Sequence, residues 1–140
     1  MSRLFSLAGL LRVRAIQERQ AAQELSRAVI DANQTRTRDR HLRAALAATE
    51  SDAVDVRTLA SLAAARVASR SMLADLESLS AQQQQAVDSA QITHDDARRA
   101  VRGLDRLAVA HEMRMRVEDL RVEQHELDEI ALRRGNGAPE

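Results

Sequence analysis

The chain has no cysteine, no lysine, no tryptophan and no tyrosine, and a single phenylalanine, Phe5. Without cysteine there is no disulfide framework and no thiol chemistry. Without aromatics there is little of the bulk that normally fills a thick core. Base stacking on single-stranded nucleic acid also has no platform. Proline occurs once, at Pro139, and Gly103 is the only glycine between residues 10 and 134. A phosphate-cradling glycine loop is therefore excluded, and almost nothing interrupts a helix from end to end.

What remains in the 140 residues is mostly Ala, Leu, Val, Arg and Glu, with 30% charged side chains. That is the composition of long helices, which bury a thin seam more readily than a core. All 21 cationic side chains are Arg, which favours bidentate pairing with carboxylates. The formal net charge of zero argues against general nucleic-acid binding. The zero conceals a pattern. Residues 1–48 carry nine Arg and four acids, residues 49–96 three Arg and eight acids, and residues 97–140 nine of each. A basic stretch followed by an acidic one suits two segments folded back on each other.

The opening "MSRLFSLAGLLRVRAIQERQ" has an eight-residue apolar run, Leu4–Leu11, flanked by Arg3, Arg12 and Arg14. The run is shorter than a secretory signal requires and carries no small-residue cleavage site. It is far too short to span a bilayer. Leu4, Ala8, Leu11, Ala15, then Ala22, Leu25, Val29 and Ala32 continue at alternating spacings of three and four, interrupted only by Glu18. That heptad seam runs through the supposed boundary of a removable peptide, so the stretch reads as the start of a structural helix.

One break is expected in "ATESDAVDVRTL", where Thr49, Ser51, Asp52 and Asp55 are cap and turn residues. Asp55 is placed to N-cap the next helix. Gly135 after Arg133 and Arg134 is a stop signal. The prediction is helix one over about 3–48, a turn over about 49–55, helix two over about 56–134 and a disordered tail at 135–140. At ~1.5 Å per residue these helices measure about 70 Å and 115 Å, and neither is stable alone in water. In helix two, Leu73, Leu76, Val87, Ala90, Ala97, Val101 and Leu104 keep the heptad rhythm, with Ser80, Gln83 and His94 as polar positions on the seam. A further stripe runs through Met113, Val117, Leu120, Gln124, Leu127 and Ala131. The expected fold is all-α: a single-domain antiparallel two-helix coiled-coil hairpin, a long helical rod in which helix two projects past helix one. Two registers remain open. Direct packing after Asp55 puts the N-terminus near residue 103, whereas a separate short helix at 56–70 puts it nearer 115.

No catalytic constellation emerges. His41, His94, His111 and His125 do not form a His-Glu-x-x-His pattern, and no metal ligand set or cofactor is assigned. Carboxylates are many, but nothing groups them in a desolvating pocket for acid–base work. The clusters Arg36-Arg38-Arg40 and Arg98-Arg99-Arg102 read as salt-bridge faces. A non-enzymatic protein is expected. A membrane-surface role needs a basic polar face with bulky apolar anchors. The first helix meets this in part, which allows at most peripheral membrane association.

The two ends of the chain carry a resemblance. "FSLAGLLRVRAIQERQAAQEL" resembles the opening pattern of the flagellar export protein FliJ family, Phe-x-Leu-x-x-Leu-Leu-x-x-Arg, at Phe5, Leu7, Leu10, Leu11 and Arg14. "LRVEQHELDEIALRR" resembles the family's closing pattern, at Arg121, Gln124, Glu126, Leu127, Asp128, Glu129 and Ala131. The resemblance implies a cytoplasmic, non-enzymatic part of the flagellar type III export apparatus, peripheral at the basal body. Such a stalk-like coiled coil binds the hexameric export ATPase, touches the export gate and escorts export chaperones. Leu4, Phe5, Leu7, Leu10, Leu11, Arg121, Gln124, Leu127 and Asp128 are the expected partner-binding residues. The chain departs from the family near the turn, where Leu42, Leu46, Leu59 and Leu62 stand in place of aromatics, so no gate-binding residue is assigned. The alternative is a generic coiled-coil adaptor, or the stalk of a related injectisome or rotary ATPase.

Overall fold

The computed structural model describes residues 7–49 and 55–135. The protein is an all-α hairpin of two helices, α1 (Ala8–Ala48) and α2 (Val56–Gly135). Both ends of the break carry the expected chemistry. The Thr49 hydroxyl donates to the Leu46 carbonyl at 2.8 Å, satisfying one of the carbonyls left open at a helix C-terminus. The Asp55 carboxylate accepts from the Val56 N–H at 2.6 Å, and the Asp55 carbonyl accepts the first helical bond from Leu59 at 2.9 Å. Asp55 is thus the N-cap. Of the anticipated turn, residues 50–54 lie outside the described residues, as do residues 3–6 of the anticipated first helix and 136–140 of the tail. The helix takes in Gly135, one residue beyond the predicted end; helix termini fray over a residue or two. α2 is unbroken from Val56, so the separate short helix at 56–70 does not occur. The pairing nevertheless has the longer of the two offsets: Glu18 meets His94, Arg43 meets Glu77, and covered positions on α2 run on to Met115 rather than ending near 103.

The chain divides into two compact units, one spanning Gln17–Ala97 and the other made of Met1–Ile16 with Arg98–Glu140. In the first unit each step forward along α1 is matched by a step back along α2. Glu18 meets His94, Arg36 reaches Gln84, and Arg43 reaches Glu77. Leu42, Leu46, Leu62 and Ser69 line one narrow groove between the helices beside the turn. The only fully buried residues among those described are Ala21, Ala32 and Thr35. Two helices cannot enclose a large side chain. They bury the small residues that lie where the backbones come closest, and Leu25, Leu42, Leu73, Leu76 and Val87 are half-buried around them.

The covered positions of α2 follow an unbroken heptad rhythm from Leu62 through Arg66, Ser69, Leu73 and Leu76 to Leu104, Ala108, His111 and Met115. Leu73, Leu76, Val87, Ala90, Ala97, Val101 and Leu104 all lie on it, as do Ser80, Gln83 and His94. α1 is less regular. Its most covered positions run Ala8, Leu11, Ala15, Glu18, Ala21, Leu25, Ala28, Ala32, with two successive steps of three at Ala15–Glu18–Ala21 and the predicted Ala22 half-buried beside the fully buried Ala21. Such a step rotates the seam by one position. Ala28 therefore takes the place predicted for Val29, which is exposed. In the second unit the seam is formed by Leu7, just before α1, by Ala8, Leu11 and Ala15 on α1, and by Val101, Leu104, Ala108, His111 and Met115 on α2.

Candidate partner-binding surface

The seam of the first unit is polar at several points. His94 Nε2 stands 3.4 Å from Glu18 Oε1, with the histidine side chain 17% exposed. Three covered polar atoms, Asp39 Oδ1, Gln83 Oε1 and His94 Nδ1, have no hydrogen-bond partner among the described residues. Unpartnered polar atoms cost stability and leave the pairing less than optimal. The edges of the seam are laced by arginines. Arg43 donates to Asp39 at 2.8 Å and to Glu77 at 2.9 Å. Its guanidinium is held above the ordinary arginine range, first by the Asp39 hydrogen bond and then by the Glu77 one. Arg36 donates to Gln84 at 2.6 Å. Arg36 and Arg43 are therefore cross-helix tethers; of the cluster Arg36-Arg38-Arg40, Arg36 bonds a neutral glutamine and Arg40 the Thr37 hydroxyl of its own helix. An open groove of about 570 Å³ between them is lined by Asn33, Asp39, Glu77 and Ser80. Its carboxylates are tied to Arg43, and no group there is set up as a nucleophile or base.

The anticipated partner-binding residues separate into two sets. Leu4 and Phe5 lie outside the described residues. Leu7 and Leu11 are half-buried and belong to the intramolecular seam, whereas Leu10 turns outward. At the other end every described side chain from Arg116 to Arg134 is exposed, so the described part of α1 leaves this stretch uncovered. Leu120 and Leu127 are each 63% exposed, with Met113, Val117 and Ile130 similarly open. Arg121, Gln124 and Asp128 are exposed on the same stretch, and Gln124 Nε2 donates to Asp128 Oδ1 at 3.4 Å.

The stripe through Met113, Val117, Leu120, Gln124, Leu127 and Ala131 is not the end of the hairpin seam. The seam reaches His111 and Met115, and the stripe runs at Met113 and Val117, each two residues further on. Two residues are about 200° around an α-helix, so the stripe lies on the face turned away from α1. Continued past Met115, the seam face meets Glu118, Val122, His125 and Glu129, a mixed polar row. α2 thus changes its apolar face near residue 113. The clue was in the sequence as this two-residue offset between two overlapping heptads.

Among the described residues, no group of three or more His, Asp or Glu side chains is placed to hold a metal ion, and no helix is long and apolar enough to cross a membrane. No known family's sequence profile, no curated protein and no solved structure matches this chain.

Proposed function

We propose that the protein is a non-enzymatic, stalk-like component of the flagellar type III export apparatus, cytoplasmic and peripheral at the basal body. It binds the export ATPase ring, contacts the export gate and escorts export chaperones. The observation that supports this reading is the uncovered apolar stripe at 113–131, which carries three of the residues matching the family's closing pattern: Gln124, Leu127 and Ala131. An apolar row of this length, held in water on one helix, marks a partner surface. The charged flanks, Arg121 and Asp128 among them, orient the contact more than they strengthen it. The second reading is a coiled-coil adaptor, or the stalk of a related injectisome or rotary ATPase. The hairpin and the stripe favour it equally, and only the end patterns favour the flagellar one.

The test is co-purification with the export ATPase encoded in the same genome. Replacing Leu120 and Leu127 together with Ala is expected to weaken that association by tenfold or more, as loss of two buried leucines does at an interface centre. Leu59→Ala, near the turn and exposed in the free chain, is expected to leave it intact. Failure of the unaltered chain to bind the ATPase overturns the flagellar reading. Loss of binding in the Leu59 variant alone moves the contact to the turn.

A further inference from the structure

The stripe on the outer face of α2 repeats at spacings of four and three over 113–131, the signature of a surface that pairs with another helix. Its flanks are polarised. In heptad terms Arg114, Arg121 and Asp128 border it on one side, and Arg116, Glu123 and Ile130 on the other. The first half is basic and the second half acidic. A surface whose halves are complementary in this order matches its own copy when that copy runs the opposite way, related by a twofold axis.

From this layout we infer that the 113–131 stripe is a self-association surface, on which α2 of a second copy of this chain lies antiparallel. The layers then pair Met113 with Ala131, Val117 with Leu127 and Leu120 with Gln124, each twice across the dyad. On the first flank Arg114 of each copy meets Asp128 of the other. On the second, Arg116 meets Ile130. The like pairs at the centre, Arg121 with Arg121 and Glu123 with Glu123, lie at opposite edges in solvent and cost little. The parallel arrangement is the less favourable on charge, because Arg116 then faces Arg121 and Glu123 faces Asp128: four like contacts, against two attractive and two like contacts in the antiparallel one. The present partners of these groups do not oppose the exchange. Arg116 is bonded to Glu112 at 2.7 Å and Asp128 accepts from Gln124, both on the exposed helix surface. The stripe faces away from α1, so pairing leaves the hairpin seam intact.

One helix of this length presents less area than a standard stable interface, and one layer contains Gln124. The dimer is therefore weak, with a dissociation constant of roughly tens to hundreds of micromolar. The inference is independent of the export reading. If both hold, the second copy and the ATPase compete for the same row, so the dimer is the form that shields the stripe when no partner is present.

The test is sedimentation equilibrium of the intact chain from about 5 µM to about 300 µM, a range that brackets a weak interface. A reversible monomer–dimer equilibrium is expected. Leu120→Glu is expected to abolish the dimer while far-ultraviolet circular dichroism stays unchanged, because Leu120 is exposed in the single chain. Leu132→Glu, off the stripe and equally exposed in character, is expected to leave the dimer intact. Asp128→Arg is expected to weaken the dimer about tenfold, as two attractive contacts become repulsive. Adding Arg114→Asp to Asp128→Arg is expected to restore it. A chain that stays monomeric throughout overturns the inference, as does a dimer indifferent to Leu120→Glu. A dimer strengthened by Asp128→Arg overturns the antiparallel arrangement. None of these outcomes depends on ATPase binding, which is measured separately.

Discussion

His94 on α2 and Glu18 on α1 face each other across the hairpin, Nε2 to Oε1 at 3.4 Å, at the step where the α1 seam shifts by one position. Leucine is the residue a stable seam favours at such a layer. A polar pair in its place specifies which residues meet, at some cost in stability. Replacing both with Leu is expected to raise stability by about 1 kcal/mol or more. Glu18→Leu alone leaves the imidazole facing an apolar side chain and is expected to be less stable than the double variant. Urea unfolding followed by circular dichroism measures both. A double variant less stable than the unaltered chain means the pair contributes net stability rather than register.

The seam shift also separates two neighbouring aliphatic residues. Leu25 is half-buried on the seam, and Val29 is 38% exposed beside it. Leu25→Ala is expected to cost about 2 kcal/mol, the low end for such truncations, because a two-helix seam can partly collapse. Val29→Ala is expected to cost less than about 1 kcal/mol, and Arg27→Ala, off the seam, about 0.5 kcal/mol or less. Denaturant midpoints of the three variants give the comparison. Equal losses at positions 25 and 29 remove the one-position shift.

Ala32, only 5% exposed, is fully covered on the seam between the two helices. A larger side chain there has no space unless the helices separate. Ala32→Leu is expected to cost about 1–3 kcal/mol, the range for overpacking. Ala44, exposed on the same helix, should accept Leu within about 0.5 kcal/mol. Thermal unfolding of the pair distinguishes close helix contact from a loose seam, which would tolerate both.

Much of this fold was legible because one residue type at one spacing decides it. The near absence of Gly and Pro, with Thr49 and Asp55 at the break, placed the helix ends, and α2's Leu73 to Leu104 gave its seam position by position. The register was not legible, since two alternatives for residues 56–70 share the same periodicity and only the packed helices distinguish them. Val29 was misplaced because spacing counts residues and does not reveal a local change of phase. At the candidate surface, the spacing of Leu120, Gln124 and Leu127 was legible in the sequence, and the face it occupies was not. An apolar heptad gives the width of a stripe, and its direction is fixed only relative to the seam already in use. Leu7 and Leu11 are half-buried on the chain's own seam, and an apolar run at a terminus does not show how much of it remains for a partner.

The stretch beyond Met115 has a dynamic consequence. From Arg116 to Arg134 every described side chain is exposed, so no tertiary burial supports the helix there. About twenty residues of isolated helix are marginal in water. The local support comes from exposed intrahelical pairs, Arg116 with Glu112 at 2.7 Å, Arg133 with Glu129 at 2.7 Å and the looser Arg121 with Glu118 at 3.9 Å. Such pairs contribute only about 0.2–0.5 kcal/mol each and are screened by salt. Amide hydrogen exchange on the dilute chain is therefore expected to show protection falling after Met115, while Leu73 to Leu104 exchange through global unfolding. Raising the salt concentration should lower protection at 116–134 and leave the seam almost unchanged. Occupation of the outer stripe, by a second copy at high concentration or by an added partner, should restore protection first at Leu120 to Leu127. Uniform protection from Leu62 to Arg134 in the dilute chain would mean that the end of α2 is already covered, and the exposed stripe would lose its standing as a binding surface.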